Sequence, residues 1–209
     1  MACSGSRVSR VLLVVAIAVV LLRRTTLGKT GRAPAKKQQS KAGSHLVTRL
    51  LSLDKCRDRA HAVGNMTSVL RQIGEGMVSV DVDMTVTKTA QTFSKFDMTL
   101  IKCRDAVSSN SCEYYQTWSY DLGVCAVMAA KGMPWSHSMS KMQPPFKCPF
   151  LKGDYHTRNA TAELDALMHI PIQWEGNIWR TKVALFNENK ALHLCWVADL
   201  EFPRVKNHD

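Results

Sequence analysis

Val78-Ser79-Val80-Asp81-Val82-Asp83-Met84-Thr85-Val86-Thr87 alternates apolar and polar side chains without a break over ten residues. A period of two is the signature of a strand with one dry face and one wet face. Phe96, Met98 and Leu100 alternate in the same way with Asp97 and Thr99 and run into Cys103. Further on, Trp179, Thr181, Val183 and Leu185 share one face and Asn187 to Lys190 carries turn residues. Leu192, Leu194, Trp196, Ala198 and Leu200 then share the face of the next strand, which predicts a hairpin. Half-buried strands joined by polar turns predict an all-β fold, an antiparallel two-sheet β-sandwich. Residues 113–131 are less regular, and a short helix is expected there.

Working outward, the N-terminus reads as a secretory leader. Arg7 and Arg10 precede an apolar run from Val11 to Leu22, and Thr25, Thr26 and Gly28 supply small residues for cleavage, so 1–28 is expected to be a signal peptide. The run is shorter than the roughly 17 to 25 apolar residues that a spanning helix needs. Residues 29–45 read as a basic, flexible linker and 46–209 as one globular domain with no internal repeat. The formal net charge of +11 is concentrated in the first two parts: residues 1–45 hold nine Lys or Arg and no acid, which leaves +2 for the rest. A nearly neutral domain gives nucleic acid no basic face to bind, so no nucleic-acid partner is expected.

One of the seven cysteines, Cys3, falls in the leader, and the domain keeps Cys56, Cys103, Cys112, Cys125, Cys148 and Cys195. Six cysteines behind a leader point to an oxidising compartment and a disulfide-stapled fold, secreted or in the lysosomal lumen. Spacing alone does not choose among the fifteen or so pairings. Proximity favours Cys103 with Cys112, a bridge from Cys56 to Cys195 would tie the first and last segments, and Cys125 with Cys148 would close the remaining loop. No CxxC pair or matching His spacing suggests zinc, so neither a metal nor a cofactor is expected.

The stretch Cys148-Pro149-Phe150-Leu151-Lys152-Gly153-Asp154-Tyr155 resembles the MD-2-related lipid-recognition (ML) family, in which a Cys-Pro, a basic residue, a Gly and a Tyr open a strand after a disulfide-closed loop. The resemblance continues through Ile170-Pro171-Ile172-Gln173-Trp174, Gly176-Asn177 and Arg180 into the hairpin that carries Cys195. It spans roughly Leu50 to Phe202. It implies the same three bridges and an immunoglobulin-like cup whose two sheets enclose an apolar lipid cavity. It implies a non-enzymatic role: binding a lipid, lifting a glycolipid such as a ganglioside transiently from a membrane surface, and presenting it to a soluble lysosomal glycosidase. An extracellular lipid or sterol carrier or innate-immune lipid sensor is the alternative within the fold. A secreted disulfide-rich protein-binding module or inhibitor is the alternative outside it.

Candidate lipid-lining positions follow from the inward faces of the strands: Val80, Val82, Met84, Met98, Leu100, Val183, Leu185, Leu194 and Trp196. The segment from Ala126 to Phe146 adds Met128, Met133 and Trp135, an adaptable, interface-suited set for an entrance flap, and Ile172 and Trp174 add a second rim element. Each of these also suits ordinary core. No GxSxG elbow, HExxH, P-loop or dinucleotide fingerprint is present, so no catalytic residue is assigned. The seven His are scattered and read as surface or satisfied structural residues. Asn65-Met66-Thr67 and Asn159-Ala160-Thr161 are glycosylation sequons, expected in surface loops.

Overall fold

The computed structural model describes residues 43–74, 77–161 and 172–206. The expected signal peptide 1–28, nearly all of the linker 29–45 and Ile170 lie outside the described residues. The chain divides into two compact units, Met1–Gln39 and Ser40–Asp209, and the described residues all belong to the second.

The strands are β1 (Ser44–Leu46), β2 (Arg49–Lys55), β3 (Val63–Gln72), β4 (Val78–Val86), β5 (Phe93–Cys103), β6 (Cys112–Tyr120), β7 (Met142–Gln143), β8 (Gly153–Ala160), β9 (Ile178–Asn187), β10 (Leu192–Glu201) and β11 (Arg204–Lys206). Two short helices, α1 (Val124–Ala129) and α2 (Ser136–Ser140), fall between β6 and β7. One sheet has the order β2-β10-β9-β5-β6 and the other β3-β4-β8-β7, all antiparallel, with a separate β1–β11 ribbon. The fold is a two-sheet sandwich. No described helix is long and apolar enough to cross a membrane.

The alternating stretches are all strands, with the alternation cleanest in β9; in β4 the residue Ser79, expected on the wet face, is buried as well. In β9, Trp179, Thr181, Val183 and Leu185 are all buried, while the residues between them are partly exposed. The turn to β10 closes with Asn187 N–H donating to Ala191 O at 2.9 Å, and Lys190 takes the left-handed backbone conformation (φ 59°). One inward residue of the expected hairpin face is displaced. The register slips between Leu192 and Leu194, so Leu192 pairs with Phe186 and leaves the row that holds Leu185. An extra residue in one strand turns the side chain before it to the other face.

β3 and β6 do not announce themselves by alternation. β6 is a sheet edge on which Glu113, Tyr114, Tyr115 and Gln116 are all exposed, so it has no continuous dry face to impose a period of two. The helix expected within 113–131 occupies only its last third.

Three bridges staple the unit: Cys56–Cys195 across a separation of 139 residues, Cys103–Cys112 across 9 and Cys125–Cys148 across 23. On one side the sheets are laced together directly, with Ser68 Oγ donating to Leu53 O at 2.7 Å and Lys55 Nζ to Gly64 O. On the other side the segment that carries α1 and α2 bridges them. α1 packs on β5, α2 packs on β8, and Ser138 Oγ donates to Thr161 O at 3.4 Å. The Cys125–Cys148 bridge closes this segment at its base.

Candidate functional site

The pairing register sorts the inner face of the five-stranded sheet into rows that cross the strands. Leu194, Leu185 and Phe96 form one row and Trp196, Val183, Met98 and Trp118 the next. Leu53, Ala198, Thr181 and Leu100 form the third, and Leu50, Leu200 and Trp179 the last. The end rows are packed. The first joins a cluster with Phe93, Phe146, Phe150 and Tyr155, whereas Trp179 belongs to a separate cluster with Trp174, Ile172 and Phe202.

Between these clusters lies an apolar cavity of about 250 Å³. Its floor is mainly the two middle rows, with Phe96, Leu50 and Leu200 of the end rows at its margins, and its roof includes Val80, Val82 and Met84 of β4 with Met66 of β3. The cause is legible in the side chains. Thr181 and Ala198 face each other across β9 and β10, where the neighbouring rows carry Trp179 with Leu200 and Val183 with Trp196. Two small residues in register leave a volume that the opposite sheet does not fill. The segment with α1 and α2 closes one side through Met128, Pro134, Trp135, Ser138, Met139 and Met142. Trp135 stacks obliquely on Phe96, with ring centroids 5.2 Å apart.

The structure therefore brings ten of the expected lining residues to one cavity: Val80, Val82, Met84, Met98, Leu100, Met128, Trp135, Trp174, Val183 and Trp196. Four stand elsewhere. Leu185 and Leu194 are sealed in the packed end row, Ile172 is buried against Trp174 and Phe202, and Met133 is half-buried in the turn before α2, outside the lining. Within the expected flap, Met128 and Phe146 are core, and the exposed positions are Ala126, Ala129, Lys131, Gly132, Ser140, Lys141, Gln143, Pro144 and Pro145. Among the lining residues missed are Met66, Leu53, Thr181, Ala198 and Trp118. Thr181 and Ala198 carried a usable signal: each interrupts a run of large inward residues, and counting back from the hairpin turn puts them opposite each other.

Among the described residues, no Asp, Glu, His, Lys, Arg, Cys or Tyr lines the cavity. It offers a ligand apolar contact together with a few hydroxyl and indole groups. Two polar atoms of lining residues, Thr48 Oγ1 and Trp135 Nε1, are themselves buried away from it and have no hydrogen-bond partner among the described residues. No three described His, Cys, Asp or Glu side chains converge to hold a metal ion.

A second, wider depression on the outer face of the same sheet holds about 460 Å³ and is lined by Ser52, Asp54, Arg57, Asp58, Arg180 and Lys182, among others. Its charges are already matched. Arg180 donates to both oxygens of Asp199 at 2.8 and 3.0 Å, Ser52 Oγ donates to Asp199 at 2.7 Å, Lys182 reaches Asp58 at 2.5 Å and Arg57 reaches Asp54 at 2.6 Å. Such a network is structural before it is receptive.

Asn65 and Asn159 are both exposed, but on β3 and β8 rather than in loops. Asn159 sits in the left-handed region (φ 51°), where β8 slips its register against β4, and its N–H donates to Asp81 Oδ1 at 2.8 Å. The strand edges and bulge leave these side chains outward, which is why exposure does not need a loop here. No protein-family profile matches the sequence, and no curated protein matches it.

Proposed function

We propose that this protein is a non-enzymatic lipid carrier that holds an apolar tail between its two sheets. The observation that carries the reading is the gap in the core: two packed clusters separated by an apolar cavity that no side chain fills. Each methylene moved from water into such a space contributes about 0.8 kcal/mol, so affinity needs no charged partner. The resemblance to the ML family supports a fuller version, in which the ligand is a glycolipid lifted from a membrane and presented to a soluble hydrolase in a secretory or lysosomal lumen. The outward Asn65 and Asn159 suit glycosylation there, and the three bridges suit its redox state.

Gentle native mass spectrometry of the protein secreted from eukaryotic cells, with lipid extraction, tests the first statement. A stoichiometric lipid is expected. A mass that stays ligand-free after incubation with vesicles of mixed glycolipid and phospholipid overturns the carrier reading. Transfer of a labelled glycolipid between vesicles, with and without a lysosomal glycosidase, tests the second.

A further inference from the structure

Large side chains that are themselves fully packed close the cavity at both ends. Phe96 and Met128, each 1 % exposed, stand at one end, and Trp174 and Phe202, 4 % and 1 % exposed, at the other. They belong to the two separate core clusters, so neither end gives a chain lying between the sheets a way through. The space they enclose is about 250 Å³. A dry apolar cavity of roughly 150 Å³ takes one benzene, and a methylene needs about the room of a water molecule, roughly 30 Å³. Both scales give about eight to ten carbons for this cavity. A sterol, or the two chains of a ceramide, exceeds that about two- to fourfold on the same scale. Among the described residues no charged side chain lines the space, so nothing there offsets the desolvation of a polar head.

We infer that the site takes one alkyl chain of about eight to ten carbons, as in a medium-chain fatty acid or its lysolipid, and leaves the polar head outside. This rests on the carrier reading above and narrows its ligand to single-chain amphiphiles. Thr181 and Ala198 set the limit, because the room comes from these two small residues lying in register while the end walls stay filled.

The test is a chain-length series. Straight-chain fatty acids from hexanoate to hexadecanoate, each below its aggregation limit, compete with N-phenyl-1-naphthylamine, whose naphthyl ring matches the space in size, for the wild-type protein. Each added methylene is expected to strengthen binding by about three- to fourfold, up to about ten carbons, and further ones to add nothing. Ala198→Val places two more carbons in the middle row, and the break in its series is expected about two carbons earlier. Decanoate against decanoyl-lysophosphatidylcholine separates the two sources of such a chain: equal affinity or a preference for either head supports the inference, and binding of neither overturns it. A rise that continues to hexadecanoate, or a break that Ala198→Val leaves in place, also overturns it, while naphthylamine uptake leaves the carrier reading standing. The wild-type series does not depend on the variant folding. Absence of naphthylamine uptake by the wild type overturns both.

Discussion

The inner face of β9 holds two different regions of the molecule within a few residues. Its ends, Trp179 and Leu185, are 1 % and 0 % exposed, whereas Thr181 and Val183 between them are 9 % and 8 % exposed although they face the same way. The end residues belong to clusters of aromatic side chains from the loops and from the start of β5: Trp174 lies 5.0 Å from Trp179, and Phe93, Phe146 and Phe150 pack together at the other end. The middle residues meet a void. A sandwich needs no special strand geometry to become a container, only small residues in one row and enough aromatic packing on both sides to hold the sheets apart.

The ends must therefore supply the stability that the middle does not. The largest expected effect comes from unclipping Cys56 from Cys195 with the paired serine substitutions. In the chain-entropy model a loop of 139 residues is worth about 5 kcal/mol, against about 2 to 3 for the nine-residue loop of Cys103–Cys112. Urea midpoints of the two double variants check the order, and the reverse order would mean that the termini are held by packing alone.

Next in size is the contrast between end and middle. Leu185→Ala deletes side-chain volume where neighbours are close on every side, and a loss of about 3 to 4 kcal/mol is expected. Met98→Ala enlarges a cavity that already exists, so its loss is expected to stay below about 2 kcal/mol. Equal losses would erase the distinction between the two regions.

The third effect is on ligand rather than on stability. Ala198→Leu adds volume to the middle row. In a filled core such an insertion costs about 1 to 3 kcal/mol; here the thermal midpoint is expected to hold or rise while naphthylamine uptake drops at least about tenfold. A destabilised variant that still takes up the dye would place the cavity elsewhere.

Much of this division was written in the chain. The stretches of strict alternation, Val78 to Thr87 and the Trp179 to Leu200 hairpin, gave both sheets their central strands, because burial on one face imposes a period that composition reveals. β6 and β3 were illegible for the converse reason: Tyr114 and Tyr115 are exposed on the edge strand, and Asn65 and Thr67 alternate with only partly buried residues in β3. Which inward residue lines the cavity and which is core depends on register. The difference between Leu185 and Val183 lies in the opposite sheet and the 124–143 segment, and neither is local to β9. The displaced Leu192 shows the same limit, since a single extra residue reassigned its face.

The smallest expected effect concerns the packed end near the hairpin. His193 reads as one of several ordinary surface or structural histidines, but it is 2 % exposed, lies edge-on to Phe93 at 5.8 Å, and its Nε2 has no partner among the described residues. Burial lowers its pKa below 6.5; the charge of Glu188 and the Lys88 backbone oppose the shift, and the charge of Lys88 adds to it. The unfolded chain therefore takes up this proton at a higher pH than the folded one. Stability is fully present above about pH 6.5 and falls as the solution is acidified from there through the lower folded pKa, below which this contribution no longer changes. The lowered carboxylates Asp81 and Asp83 act in a separate window: their contribution is present above the ordinary carboxylate pKa near 3.8 and is lost as pH falls through their lower folded values. Urea midpoints between pH 8 and 5 separate the two, and His193→Phe is expected to flatten the upper window. A variant as pH-sensitive as the wild type between pH 7 and 5 would remove His193 as the cause, and with it the view that this end of the sandwich is packed tightly enough to exclude a proton.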